Sequence, residues 1–167
     1  MFLIESAQFQ SPIGLLSILA CKEGVVKISF KNESSEEKEK WCQSYIGMRL
    51  MKRTDFALLA KDQILKYLSG RRKLLDFPIV HINSSFHKKV LEVIRQIPYG
   101  ETRSYGEIAN MVNKPKAFRA VGGANSKNPL PLYYPCHRII CTDGSLGGFG
   151  GGIQIKQYLL DLELKNS

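Results

Sequence analysis

No stretch of this chain approaches the ~20 consecutive apolar residues that a membrane-spanning helix needs. The opening run Met1-Phe-Leu-Ile-Glu-Ser6 lacks the basic region and cleavage site of a secretory signal. Cys21, Cys42, Cys136 and Cys141 form no C-x-x-C pair, so no zinc site is expected and nothing in their spacing suggests secretion. Reduced thiols in a reducing compartment account for them. Internal repeats and low-complexity linkers are also missing. Acidic side chains are scarce: 15 Asp and Glu stand against 24 Lys and Arg, a formal charge of +9. That imbalance favours an anionic partner, nucleic acid or an anionic membrane surface, and a basic surface kept for solubility explains it equally well. These absences leave a basic, soluble, cytoplasmic protein.

What is present suits one domain or two small ones, since 167 residues can bury a core. Residues 2–9, 15–20 and 25–30 have strand character and are separated by turns at Ser11-Pro-Ile-Gly14 and Lys22-Glu-Gly24. Short turns between consecutive strands predict an antiparallel meander. A helix is expected over 33–45 and another over 55–68, with Phe56, Leu59, Ile64, Leu65 and Leu68 on its apolar side and Gly70 as its stop. Residues 76–82 read as a further strand. No catalytic constellation stands out in residues 1–80: Asp55, Asp62 and Asp76 are scattered singly, and His81 and His87 read as surface or packing residues.

A boundary near Asn83 gives domains 1–82 and 83–167. Ser84 or Ser85 can cap a helix in which Phe86, Val90, Val93, Ile94 and Ile97 recur at helical spacing. Ser104 with Glu107 makes a capping box for a short helix carrying Tyr105, Ile108, Ala109 and Val112. The turn Asn113-Lys-Pro-Lys116 leads to a second short helix over 117–126. Helix, tight turn, helix is the layout of a DNA-reading motif. The second helix is thin, with Ala120, Gly122, Gly123 and Ala124 around Val121. Each glycine in a helix costs roughly 1 kcal/mol, so a separate need is implied. Two readings stand: entry into a groove only about 6 Å wide, or close packing on a neighbouring element. A closing helix is expected over 153–164, with Ile155, Tyr158, Leu159, Leu160 and Leu162 as its apolar side.

The chain is organised around Leu130-Pro-Leu-Tyr-Tyr-Pro-Cys-His-Arg-Ile-Ile-Cys141. Cys136 lies between Pro135, which fixes its own φ, and the pair His137-Arg138. Cationic neighbours lower a thiol pKa, which makes Cys136 a candidate nucleophile. A buried cysteine acting as a small hydrophobe is the alternative. The motifs Pro98-Tyr-Gly-Glu101, Ser104-Tyr-Gly-Glu-Ile-Ala109, Arg119-Ala-Val-Gly-Gly-Ala124, Asn128-Pro-Leu-Pro131, Pro135-Cys-His-Arg138 and the glycine run from Gly144 to Gly152 share one order and spacing with a known family. In these the chain resembles the O6-alkylguanine-DNA alkyltransferases. The likeness is tight over 84–167 and looser over 1–80, where it rests mainly on the Ser11-Pro-Ile-Gly14 hairpin.

The resemblance implies an α+β fold. An RNase H-like N-terminal domain would hold a small antiparallel sheet with helices, followed by a mostly helical winged helix-turn-helix domain. The implied reaction is DNA repair by base flipping and irreversible transfer of the alkyl group from O6-alkylguanine to Cys136, with O4-alkylthymine as a further candidate substrate. His137 is implied as a base acting through water, Glu163 as the residue that orients it, and Tyr105 as the donor to the leaving group. Arg119 matches the intercalating arginine; Ala120, Gly122, Gly123 and Ser126 fall on the helix that enters the minor groove. Asn128 matches a hinge asparagine, and Phe149 and Gly150 fall beside the flipped base. Pro135, Arg138 and Lys156 are implied as structural residues at the site. Without the resemblance, Arg119 reads as a phosphate contact, Glu163 as a surface residue and Tyr105 as a core aromatic. Double-stranded DNA is the expected partner, bound by a monomer, with no cofactor, no metal and no membrane. Because an S-alkyl thioether resists hydrolysis, each molecule is expected to act once. A lesion sensor of the same lineage would carry tryptophan in place of Cys136. A cysteine hydrolase would leave the thin helix unexplained, and a DNA-binding regulator would not need the thiol.

Overall fold

The computed structural model describes residues 3–44, 49–51 and 55–167. Phe2 and Tyr45, end residues of an expected strand and an expected helix, lie outside the described residues. The chain divides into two compact units, Met1–Ile82 and Asn83–Ser167.

In the first unit β1 (Leu3–Ser11), β2 (Gly14–Cys21) and β3 (Gly24–Ser29) form the antiparallel meander. Phe9 faces Leu16 and Ala7 faces Ile18 across the first hairpin. Its turn is closed by the Ser11 hydroxyl, which donates to the Gly14 carbonyl at 2.7 Å. A short fourth strand, β4 (Arg49–Met51), pairs parallel with β1 and gives the order β3-β2-β1-β4. The sequence reading misses it because three residues carry no periodicity.

Helix α1 (Ser35–Ser44) starts at a reciprocal cap: Glu37 N–H donates to Ser34 Oγ at 3.1 Å and Ser34 N–H to Glu37 Oε2 at 2.7 Å. Helix α2 (Asp55–Leu68) packs on β1 and β2 through Ala57, Ala60, Ile64, Tyr67 and Leu68. Leu59, expected on its apolar side, is exposed. Residues 76–82 do not form the expected strand. Val25 makes a single bridge to Ile79, with Val25 N–H donating to Pro78 O at 2.8 Å and Val80 N–H to Val25 O at 2.9 Å. Pro78, lacking an N–H, cannot extend a ladder.

In the second unit α3 (Ser85–Arg95) buries Val90, Leu91 and Ile94. Ser84 occupies the cap position, yet its exposed side chain makes no capping bond, contrary to expectation. At α4 (Tyr105–Met111) the Ser104–Glu107 capping box is complete. A turn with Asn113 at φ 59° leads to α5 (Phe118–Ser126). The strands β5 (Arg103–Ser104) and β6 (Ile139–Ile140) pair in parallel beside this helix-turn-helix. A 3-10 turn spans Cys136–Arg138 just before β6. The last helix, α6 (Ile153–Asn166), keeps most of the expected apolar side, with Leu159 buried and Ile155, Leu160 and Leu162 half-buried, but Tyr158 is exposed and the charged Lys156 and Glu163 are buried beside Leu159. Two charged side chains inside the unit are affordable only if hydrogen-bonded, and their partners define the site. Among the described residues no helix is long and apolar enough to cross a membrane.

Candidate active site

Glu163 is fully buried, and its carboxylate gathers three elements around it. The Arg138 guanidinium donates to it three times, from Nε at 2.8 Å to Oε2 and 3.1 Å to Oε1, and from Nη2 at 2.9 Å to Oε1. His137 Nε2 lies 2.7 Å from Oε1. The Gly100 N–H donates to Oε2 at 2.9 Å from a turn with φ +82°, where a Cβ would sit 2.7 Å from that of Ser167. Arg138 Nη1 reaches the Ile97 carbonyl at 2.6 Å, tying the same network to the end of α3. Glycine is therefore required at position 100 both by conformation and by space.

These contacts set the protonation states. Burial, the largest single influence on Glu163, would raise its pKa, but the hydrogen bonds of His137 and Arg138 and the charge of the Arg138 guanidinium outweigh it and hold the carboxyl at about 2. Burial pushes His137 down from the usual imidazole range, with Glu163 opposing and Arg138 and Lys156 reinforcing. The resting ring is neutral, with its Nε2 turned to a permanent carboxylate. This is the arrangement of a base held by an orienting acid.

Cys136 precedes that network in the 3-10 turn and is 5% exposed. The expectation of a thiol lowered by cationic neighbours is corrected. Burial raises it to about 11, more than the Asn128 side chain and the Lys156 charge lower it. The guanidinium of Arg138 is committed to Glu163 and His137 is neutral, so neither supplies the positive charge that adjacency in sequence suggests. The resting thiol is protonated.

Around Cys136 the chain is held by carbonyl contacts. Asn128 Nδ2 donates to Tyr134 O at 3.0 Å, and Leu130 N–H donates to Asn128 Oδ1 at 2.9 Å, so one amide spans the turn ahead of the cysteine. Leu132 within that turn has φ 72°, and Pro135 is buried at its end. The Lys156 ammonium donates to Ile139 O at 2.5 Å and to the carbonyls of Leu146 and Gly148, fastening the glycine loop to α6 and β6.

A cavity of about 310 Å³ opens over the thiol, lined by Tyr105, Gly122, Asn125, Ser126, Cys136, Gly148, Phe149 and Gly150. Its size falls within the ~300–1,000 Å³ of small-molecule sites. The Phe149 ring meets the His137 ring edge-on, with centroids 6.4 Å apart. Burial raises the Tyr105 hydroxyl above its usual range, so it keeps its proton and can donate. Arg119 and Ala120 do not line the cavity. They are exposed on α5, with the Arg119 guanidinium 5.8 Å from the centre of the Phe118 ring. Among the described residues no group of three or more His, Cys, Asp or Glu side chains could hold a metal ion.

Gly100, the Ile97 carbonyl, Gly148 and Asn125 join the site without having been singled out by sequence. The first two act through the backbone, which side-chain patterns do not report. Asn125 did leave one signal, since asparagine within a helix is unfavourable. The linkage sign for the buried carboxylate is that of a depressed acid: its stabilisation is complete above the ordinary carboxylate range and lost as pH falls toward 2. The low pKa of His137 adds a loss below the usual imidazole range, because the unfolded chain takes up that proton first. Equilibrium unfolding should therefore weaken steadily in acid, by about 2 kcal/mol from Glu163 alone between pH 7 and pH 3, and urea titrations over that range on wild type and Glu163→Gln should show a flatter acid limb in the variant.

Comparison with known proteins agrees along the chain. Sequence models of 6-O-methylguanine DNA methyltransferase match its ribonuclease-like domain to residues 6–80 and its DNA-binding domain to residues 85–165. A methylated-DNA–protein-cysteine methyltransferase of Methanosarcina acetivorans is 37% identical over 159 residues, covering 94% of this chain and 96% of that protein. The inducible methylated-DNA–protein-cysteine methyltransferase of Bacillus subtilis is 38% identical over 151 residues, covering 90% and 84%. Among solved structures, the Mycobacterium tuberculosis OGT in complex with DNA superimposes with a TM-score of 0.82 at 33% identity, covering 99% of this chain and 94% of that one. With both domains matched and relatives aligned over nearly its whole length, the chain belongs to the 6-O-methylguanine DNA methyltransferase family.

Proposed function

We propose that this protein repairs DNA by moving the alkyl group of an O6-alkylguanine onto Cys136, once per molecule and without a cofactor. The observation that carries the reading is a buried Cys136 thiol lining a cavity of about 310 Å³, followed directly by an imidazole whose Nε2 lies 2.7 Å from a buried carboxylate. Duplex DNA is the partner. The target oxygen lies inside the helix stack, so the base must rotate out to reach the thiol.

In the step itself the Cys136 proton passes, through a water, to Nδ1 of His137, and Glu163 stabilises the imidazolium that forms. The thiolate attacks the alkyl carbon; the S–C bond forms as the C–O6 bond breaks, and its electron pair stays on the purine. Tyr105 donates a hydrogen bond to the purine as that charge develops, and the proton taken from the thiol ends on the released guanine. The product thioether gives water no route back. Cys136, His137 and Tyr105 touch the reacting groups, while Glu163, Arg138, Asn128 and Lys156 position them. Phe149 and Gly150 flank the base.

The minor groove is the proposed docking site for α5. Its outward face carries Arg119, Ala120, Gly123 and Ser126. A Cβ at Gly123 would meet nothing within 4 Å, and one at Gly122 would make only ordinary contact with the Tyr105 ring at 3.9 Å. Packing inside the protein thus gives no reason for these glycines, and close approach of a partner does. Arg119 at the head of this face fills the space that the rotated base leaves. A cytoplasmic protein working on the nucleoid is consistent with this partner.

Two outcomes test the reading. After incubation with a duplex holding one O6-methylguanine, intact mass should rise by one methyl group, located to the Cys136 peptide; Cys136→Ala should bind the duplex without gaining mass. Absence of any gain in wild type would refute the transfer. Gly123→Leu should keep or raise stability, by up to about 1 kcal/mol from helix propensity, yet lose roughly tenfold in duplex affinity, about 1.4 kcal/mol. Thermal unfolding and a binding titration at one salt concentration read both effects.

A further inference from the structure

Cys136 is tied to helix α3 on both sides. Two residues downstream, Arg138 Nη1 donates at 2.6 Å to the carbonyl of Ile97, just past the end of α3. Upstream, two consecutive tyrosines meet Glu92 and Arg95, which stand about one turn apart on one face of α3. The Arg95 guanidinium lies 3.8 Å from the centre of the Tyr133 ring, and its Nη1 donates to the Tyr133 carbonyl at 2.9 Å. The Tyr134 hydroxyl, on a residue only 1% exposed, donates to Glu92 Oε1 at 3.0 Å. Tyr134 is also where the backbone of the nucleophile is set: its carbonyl accepts from the Cys136 N–H at 2.7 Å and from Asn128 Nδ2 at 3.0 Å. Packing alone does not call for the hydroxyl. Phenylalanine would fill the same ring volume, and the half-buried Glu92 carboxylate can turn to water.

We propose that Glu92 and Arg95 are positioning residues for the transfer: they grip Tyr134 and Tyr133, and through the Tyr134 carbonyl they hold Cys136 in line with the alkyl carbon. The inference rests on the alkyl-transfer reading and deepens it. Attack by sulfur tolerates little displacement, since an error of about 1 Å can cost roughly 100-fold in rate. Helix α3 then belongs to the site, although neither residue lines the cavity over the thiol.

Single-turnover methyl transfer from an O6-methylguanine duplex, followed over a range of protein concentrations, separates a maximal rate from a half-saturating concentration. All variants are compared at a temperature well below their thermal midpoints. Tyr134→Phe and Glu92→Leu should each lower the maximal rate roughly tenfold and leave half-saturation within about twofold of wild type. The double variant should be no slower than the slower single one, because both changes remove the same bond. Glu92→Gln, whose amide oxygen still accepts, should recover most of the rate. Arg95→Met, which keeps the stem without the guanidinium, should also lose maximal rate and not half-saturation. A full-rate Tyr134→Phe, additive losses in the double variant, or losses carried by half-saturation overturn the proposal; the last would make these residues duplex contacts. Should Glu92→Leu not fold, Glu92→Ala carries the same cycle. A wild-type protein that transfers no methyl group overturns the underlying reading instead, and that result is visible before any variant is made.

Discussion

The Glu163 carboxylate is the constraint on which the second unit depends. A buried charge is destabilising unless it is paired and hydrogen-bonded, and here every lone-pair direction is used: Arg138 forks onto both oxygens, His137 takes one and the Gly100 N–H the other. Those partners come from the 3-10 turn that carries Cys136 and from the turn after α3, while the carboxylate itself stands on α6. Removing the carboxylate would leave a buried guanidinium with the Ile97 carbonyl as its one remaining hydrogen-bond acceptor among the described residues. The group that orients the imidazole thus also fastens the segment bearing the nucleophile. Lys156, two turns earlier on the same face of α6, does for the glycine loop what Glu163 does for the 3-10 turn, using carbonyl oxygens in place of a counter-ion.

This arrangement gives the thiol its character. A cysteine kept ionised at rest would react with oxidants and small electrophiles, a loss that a single-use acceptor cannot recover. Burial keeps Cys136 neutral, and the base beside it is neutral too. Ionisation then has to be coupled to a bound base that closes the cavity and offers an electrophilic carbon. Selectivity for the lesion arises in part from the resting state being unreactive.

Much of this was legible in the residues. The hairpin turns, the Ser104–Glu107 cap and the thin character of α5 follow from local chemistry that the fold leaves intact. Where reading failed, a tertiary effect had overridden a local one. The charged residues Lys156 and Glu163 share the inner face of α6 with Leu159, so apolar periodicity left them out of the buried set. Of the neighbours of Cys136, Arg138 is committed to Glu163 and His137 is neutral, so adjacency misjudged the thiol. β4 was too short to show a period, and Pro78 broke a run that otherwise resembled a strand. Asn125 is the subtler case: its cost to the helix could be seen, but its place on the cavity wall exists only once α4 and α5 pack.

The central claim is that Cys136 rests as a neutral, buried thiol and ionises only within the lesion complex. Its titration in the free protein tests this most directly, by the pH dependence of iodoacetamide labelling with the Cys136 peptide quantified separately from those of Cys21, Cys42 and Cys141. A neutral resting thiol should show almost no labelling at pH 7 to 8 and a rise only as pH nears about 11, the value to which burial pushes it. Half-maximal labelling near or below pH 8 in the absence of DNA would mean a thiolate already formed at rest, and would contradict it.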